Sequence, residues 1–142
     1  MSSTFKENLD SEAKAVYLEV LMYVLRADTR LTPERTRYLE KQALEISFPA
    51  AELKTLKKLK TPESVSNELL KIADIRLRRY FIREMVMLSI SDHELTDEEM
   101  CNIYKIGCAI GVKEDKINDF FLWAAQGVEW QIEGVRMVED DL

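Results

Sequence analysis

Carboxylates in two short turns are the residues of this chain best suited to chemistry. The segments Asp28-Thr-Arg-Leu-Thr-Pro-Glu34 and Asp92-His-Glu-Leu-Thr-Asp-Glu98 share the same spacing of Asp, Leu, Thr and Glu, 64 positions apart. Oxygen ligands of this kind suit hard divalent cations such as Ca²⁺ and Mg²⁺. The turns and their neighbours therefore define a candidate metal site for Ca²⁺, Mg²⁺ or Zn²⁺, whose candidate ligands are Asp28, Glu34, Glu84, Asp92, Glu98 and Glu99.

Glu84 is a candidate because its surroundings are apolar. It lies where the first copy of the pattern has Val20, inside a stripe that is otherwise hydrophobic. A carboxylate at such a position must be paired, protonated or bound to something.

A purely structural interpretation of the same turns stays open. Thr96 and Glu99 have the spacing of a capping box, in which both side chains satisfy free amides at the start of a helix. Asp28 and Asp92 would then accept hydrogen bonds from their own turns. An EF-hand is excluded, because Asp97 replaces the glycine that its twelve-residue loop needs at the sixth position.

Other reactive residues are few. His93, the single histidine, lies in the second acidic turn, where it could contact a metal or respond to pH, or be a solvated loop residue. Cys101 and Cys108 belong to no metal-binding pattern and are predicted to be reduced thiols in the core. Hydrolase and nucleotide-binding motifs are absent from the sequence, and we predict no enzymatic activity.

Basic and aromatic residues define a second kind of candidate site. Arg76, Arg79 and Arg83 could form a patch for an acidic partner, or could be the solvated face of a helix. Trp130 is the candidate anchor of a protein interface, through which the C-terminal segment would cover the domain or dock on a second copy. A protein partner is expected, and a homodimer is one alternative.

Apolar periodicity predicts helices along the whole chain. Spacings of three and four residues begin after Asp10 and recur after Thr32, Thr61 and Thr96, each a good helix N-cap. Gly111 suits the left-handed position that ends a helix. No segment shows the alternation of a strand.

The apolar phase repeats as well as the acidic turn. At the offset of 64 residues Tyr17 corresponds to Phe81, and Leu39 corresponds to Ile103. Each copy alone would leave an apolar face uncovered, so the two should pack together. We predict an all-α single domain over residues 1–142, with seven to eight helices and two pseudo-symmetric repeats, about 11–58 and 75–122, followed by a C-terminal helix at about 128–140.

The arrangement resembles the tellurite-resistance TerB family. An apolar helix, a turn of the form Asp-Gly-x-Leu/Ile-Ser/Thr-x-x-Glu, and a helix ending near Gly are repeated in that family. The resemblance covers about residues 12–122 and is strongest from Asp92 to Val112. It implies an all-helical cytoplasmic domain with an acidic surface suited to binding metal, no established enzymatic reaction, and a role in stress responses together with partners.

Two departures from the family pattern bear on the metal site. The glycine after the Asp is replaced by Thr29 in the first copy and by His93 in the second. The Glu seven positions after the Asp is present as Glu99, whereas the first copy has Arg35. The acidic set of the first copy is therefore incomplete.

Composition narrows the class of function. The net charge of -6 opposes binding to nucleic acid, and no segment has the length and apolarity of a membrane span. We expect a cytoplasmic, non-enzymatic TerB-like module that mediates protein interactions in a bacterial stress-response or envelope-associated system. The alternative is a cation-binding sensor that uses the acidic turns.

Overall fold

The computed structural model describes residues 8–27, 32–92 and 95–139, apart from the side chain at position 50. Within these ranges the chain forms α-helices and one short 3₁₀ helix and contains no strand. The α-helices are α1 (Ser11–Ala27), α2 (Pro33–Glu45), α3 (Pro62–Leu69), α4 (Ile75–Ile90), α5 (Asp97–Ala109) and α6 (Glu114–Glu139), and the 3₁₀ helix is Ala50–Thr55. No helix in the described ranges is long and apolar enough to cross a membrane.

The helices begin where the sequence places their caps. The Thr32 hydroxyl accepts a hydrogen bond from the Arg35 amide, and Thr96 accepts one from the Glu99 amide. Thr61 caps α3 in the same way, together with Ser64. These side chains satisfy amides that a helix leaves free in its first turn.

The core lies between α1 and α4, which pack against each other. Tyr17 of α1 and Phe81 of α4 are fully buried, with ring centroids 4.9 Å apart. The remaining helices surround this pair and cover its apolar faces. The stripe predicted from three and four residue spacing is therefore the core of the protein.

The C-termini of α2 and α5 end in the same kind of turn. The Phe48 amide bonds to the Ala43 carbonyl at 2.9 Å, and the Val112 amide bonds to the Gly107 carbonyl at 2.9 Å. The residue before each amide has a left-handed backbone, with φ of 57° at Ser47 and 89° at Gly111. Ser47 thus lies in the turn that ends α2.

The expected helix count and the pseudo-symmetry in space are not confirmed. The predicted C-terminal helix at about 128–140 is the second half of α6, which continues without interruption from Glu114–Glu139. Shifted by 64 positions, the bounds of α2 (Pro33–Glu45) coincide with those of α5 (Asp97–Ala109), and both helices have 13 residues.

The prediction that both cysteines lie in the core is wrong. Cys101 and Cys108 are free and exposed. The buried face of α5 is formed by Glu99, Ile103 and Ile106, and positions 101 and 108 lie on the other side of the helix because one residue turns about 100°.

Candidate functional site

A buried arginine holds the second acidic turn. The Arg35 side chain has no solvent exposure, and its Nε lies 3.1 Å from Asp92 Oδ2. Its Nη1 lies 2.8 Å from Glu99 Oε2, and its Nη2 donates to Glu99 Oε1 at 3.1 Å and to the Ser89 carbonyl at 2.7 Å. The guanidinium therefore contacts both carboxylates and a backbone oxygen at once.

Arg35 and Glu99 are equivalent positions of the repeat, 64 residues apart, and they pair with each other. Two glutamates at this contact would repel and would need a proton or a cation to approach. Opposite charges at the two positions neutralise the contact from within the chain. The arginine that makes the first acidic turn incomplete is thus the counter-ion of the second.

Helix caps fix the geometry of this cluster. Glu99 Oε1 also accepts hydrogen bonds from the Thr96 amide and hydroxyl, both at 3.2 Å. The Thr32 hydroxyl donates to Asp92 Oδ2 at 3.3 Å. The Thr96–Glu99 capping box expected on structural grounds therefore also orients Glu99 toward Arg35, and the N-cap Thr32 holds Asp92.

Glu84 is the centre of a separate buried cluster. Its Oε1 accepts hydrogen bonds from the Tyr17 hydroxyl at 3.4 Å and from the Tyr38 hydroxyl at 3.3 Å. Its Oε2 lies 3.3 Å from Arg83 Nε, and the Tyr17 hydroxyl also lies 2.6 Å from Gln42 Oε1. The carboxylate in the apolar stripe is therefore paired and hydrogen-bonded, which is one of the outcomes that its burial required.

The phenols around Glu84 resist ionisation. Burial, followed by the negative charge of Glu84, raises the pKa of Tyr17, Tyr38 and Tyr80 far above the ordinary value for tyrosine. They consequently stay protonated at neutral pH, and Tyr17 and Tyr38 donate to Glu84.

A third ionic group joins α1 to the segment before α3. Glu19 accepts a hydrogen bond from the Lys57 amide at 3.0 Å, and Glu68 accepts from Lys57 Nζ at 3.1 Å and from Lys71 Nζ at 3.0 Å. Burial raises the pKa of Glu19, and the neighbouring Glu68 raises it further. No sequence pattern pointed to this group.

The predicted metal ligands do not form one site in the described residues. Asp92 and Glu99 lie together on Arg35, while Glu84 lies among the tyrosines. Glu34 and Glu98 are exposed. Asp28 and His93 lie outside the described ranges, and within those ranges no cluster of three or more candidate ligands occurs.

The predicted basic residues line a groove between α4 and α6. Arg76, Arg79 and Arg83 meet Lys116 and Phe120 around a depression of about 410 Å³. The Arg83 guanidinium also lies over the rings of Tyr80 and Trp123, 4.9 and 5.3 Å from their centroids. These contacts orient Arg83 along the groove.

Trp130 lies on the half of α6 that extends beyond the core. The buried residues of α6 end at Ala124, and the side chains that follow are half-buried at Val128 and otherwise exposed. Trp130 is 75% exposed, and Met137 and Val138 are 82% and 85% exposed. A second groove of about 690 Å³ runs beside Trp123 and Trp130 toward Tyr38 and Met87. The predicted anchor is therefore accessible.

Sequence reasoning missed the role of Arg35. The signal was present, because Arg35 takes the place of a glutamate in the repeated pattern. A reversal of charge at equivalent positions predicts an ion pair only once the two copies are known to pack with those positions in contact. The partners of Glu84 on α1 and α2 carry no such signal.

Fold and site together define an all-helical protein whose acidic turn is neutralised internally and whose last helix is partly uncovered. No known family profile matches the chain, and no curated protein matches it by sequence. Its fold is similar to the crystal structure of a tellurite resistance protein from Nostoc punctiforme, with a TM-score of 0.66 and 15% sequence identity over 89% of this chain and 79% of that one. The fold expected from the TerB resemblance is confirmed.

Proposed function

We propose that this protein is a non-enzymatic module that mediates protein interactions in a bacterial stress-response or envelope-associated system. The observation that carries the proposal is the uncovered second half of α6, with Trp130, Met137 and Val138 exposed. Contiguous exposed apolar surface rimmed by polar residues is typical of protein interaction sites. Tryptophan in particular supplies a large share of binding energy at interfaces.

The buried ionic clusters support a non-enzymatic role. Asp92 and Glu99 are counter-ions of Arg35, and Glu84 is held by Tyr17 and Tyr38. A catalytic carboxylate needs contact with a substrate in an accessible site. These carboxylates instead link helices to one another. The link to stress responses is supported by the similarity of fold to a protein described as a tellurite resistance protein.

Affinity purification of the tagged full-length chain from its native host tests the interaction. The variant Trp130→Ala/Met137→Ala should lose a partner that the wild type recovers, because both side chains are exposed and their removal leaves the core intact. Leu44→Ala is the matched control, since Leu44 is an exposed apolar residue on α2, 79% accessible. Equal recovery by all three proteins, or recovery of no partner by the wild type, would contradict the proposal.

Cation sensing by the acidic turns is the second candidate function from the sequence. Its specific support is the pair of carboxylates on Arg35, namely Asp92, which follows the end of α4, and Glu99 in the first turn of α5. The guanidinium of Arg35 competes with any cation for these oxygens, so the interaction function has the stronger support. Calorimetric titration with Ca²⁺, Mg²⁺ and Zn²⁺ distinguishes the two.

A further inference from the structure

Two glycines inside α6, Gly127 and Gly134, have no packing explanation among the described residues. A Cβ added at Gly107 would lie 2.5 Å from Ile117 Cδ1, and Gly111 has a φ of 89°. By contrast, a Cβ added at Gly127 or Gly134 would meet nothing within 4 Å. Glycine weakens a helix interior relative to alanine. A close approach by a second helix would account for both positions.

These glycines alternate with large side chains along one stripe of α6. The stripe follows helical spacing of three and four residues and lies to one side of the buried face formed by Ile117, Phe121 and Ala124. All of its members are at least partly exposed. They are Lys116, Phe120, Trp123, Gly127, Trp130, Gly134 and Met137.

The stripe is complementary to itself when reversed. If position i of one helix faces position 257 − i of another, Trp123 faces Gly134, Gly127 faces Trp130, and Phe120 faces Met137. Each tryptophan of one copy is then opposite a glycine of the other copy, and the same contacts occur again when the two copies are exchanged. A two-fold interface requires this kind of reciprocity, in which the same contact occurs twice.

Charge also favours the antiparallel direction. The groove beside the first half of α6 is lined by Arg76, Arg79 and Lys116. In the reversed register Glu139, in the last turn of α6, lies level with position 118 of the partner, beside that groove. Antiparallel pairing therefore places an acidic helix end next to basic side chains, which parallel pairing would not do.

We propose that the occupant of this surface is a second copy of the chain, paired antiparallel along α6 through the alternating tryptophans and glycines. This inference rests on the proposed interaction function and names its partner. The stripe from Lys116 to Met137 is about 32 Å long at 1.5 Å per residue, and a contact strip about 10 Å wide then covers on the order of 300 Å² per copy. Standard interfaces bury about 800 Å² per partner. The strip alone is smaller than this, so the dimer is expected to be weak and to depend on concentration, with the grooves of about 410 and 690 Å³ beside the stripe as further surface within reach of the partner.

Sedimentation equilibrium of the full-length chain from about 1 to 300 µM tests the pairing. The wild type should show a concentration-dependent monomer–dimer equilibrium. Gly127→Trp places two tryptophans opposite each other, and Trp130→Gly removes the large partner, so each should weaken association at least tenfold. The double variant Gly127→Trp/Trp130→Gly restores a large residue opposite a small one and should recover most of the loss. Ala125→Leu, on the opposite exposed face of α6, should leave association unchanged.

Two results would overturn the pairing. One is a wild type that stays monomeric over this range, and the other is a double variant that associates no better than either single variant. Circular dichroism of each protein checks that α6 remains helical. A monomeric wild type whose native partner is still lost in Trp130→Ala/Met137→Ala would retain the interaction function and reject a second copy as the occupant.

Discussion

Arg35 determines what the acidic turn can do. A guanidinium with no solvent exposure lies against Asp92 and Glu99, with contacts of 3.1 and 2.8 Å. A buried ion pair adds modestly to stability as a whole, but loss of one partner is costly because the other charge stays buried.

Replacing Arg35 should therefore destabilise the protein strongly. Arg35→Met keeps much of the side-chain volume and leaves Asp92 and Glu99 without their cation, at an expected loss of about 3–5 kcal/mol. Urea unfolding followed by circular dichroism measures the change. Arg37→Met is the control, because Arg37 is exposed and should change stability by less than about 0.5 kcal/mol. Equal effects of the two substitutions would show that the buried network has no structural role.

The tyrosine cluster predicts the response to alkaline pH. Burial and the charge of Glu84 raise the pKa of Tyr17, Tyr38 and Tyr80 in the folded state, whereas unfolded tyrosines ionise at about pH 10. Above that pH the unfolded chain loses protons that the folded chain keeps, so the stability present below pH 10 is lost as the pH rises.

Absorbance at 295 nm should consequently show that these three tyrosines ionise together with unfolding. Tyr38→Phe should reduce the slope of stability against pH above about pH 10, since one fewer shifted phenol remains. Titration of all five tyrosines near pH 10 in a protein that stays folded would contradict the cluster.

Helix ends and helix interiors use glycine in opposite ways in this fold. Gly111 has a φ of 89° in the turn that ends α5, and Gly127 lies inside α6 in open space. Replacement by alanine should therefore change the free energy of unfolding in opposite directions at the two positions.

Gly111→Ala should destabilise the protein by about 1–2 kcal/mol, because an L side chain resists the left-handed backbone. Gly127→Ala should stabilise the monomer by up to about 1 kcal/mol, because alanine is the better helix former. Thermal unfolding at low protein concentration, where self-association is weak, measures both. The open space around Gly127 argues against a packing role for this residue in the monomer. Destabilisation by Gly127→Ala under these conditions would contradict that interpretation.

Much of the element level follows from the sequence, and the exceptions have physical causes. Thr32, Thr61 and Thr96 begin helices as predicted, because capping depends on residues close in the chain. A separate C-terminal helix was predicted at about 128–140, whereas α6 runs without a break to Glu139. Whether that segment covers the domain or is left uncovered stayed open, because periodicity does not distinguish the two. The prediction that the cysteines lie in the core was wrong because it followed from their hydrophobic character alone. Their positions on α5 place them on the exposed side of that helix.

The candidate site was predictable only in part. Trp130 and the arginines of α4 lie on accessible surfaces or groove walls, where interaction residues were expected. The contacts of Arg35 across 54 and 64 residues depend on how distant helices pack, and no local pattern encodes them.

At the scale of the whole molecule, internal neutralisation of the acidic turn should make stability insensitive to divalent cations. A cation stabilises a protein only through preferential binding to the folded state. With Arg35 occupying Asp92 and Glu99, we expect about 1 mM Ca²⁺ or Mg²⁺ to shift Tm by less than about 1 °C. A larger shift that Asp92→Asn abolishes would favour the sensor function.

The uncovered half of α6 is the surface on which the proposed function depends, and photo-crosslinking in the native host tests it most directly. A benzophenone amino acid is placed at Trp130 in one protein and at Ala125, on the opposite exposed face of α6, in another. The interaction function predicts a discrete covalent adduct from position 130 and little or none from position 125, and a second copy as partner predicts an adduct of twice the chain mass. Equal yields at the two positions, or no adduct at position 130, would contradict it.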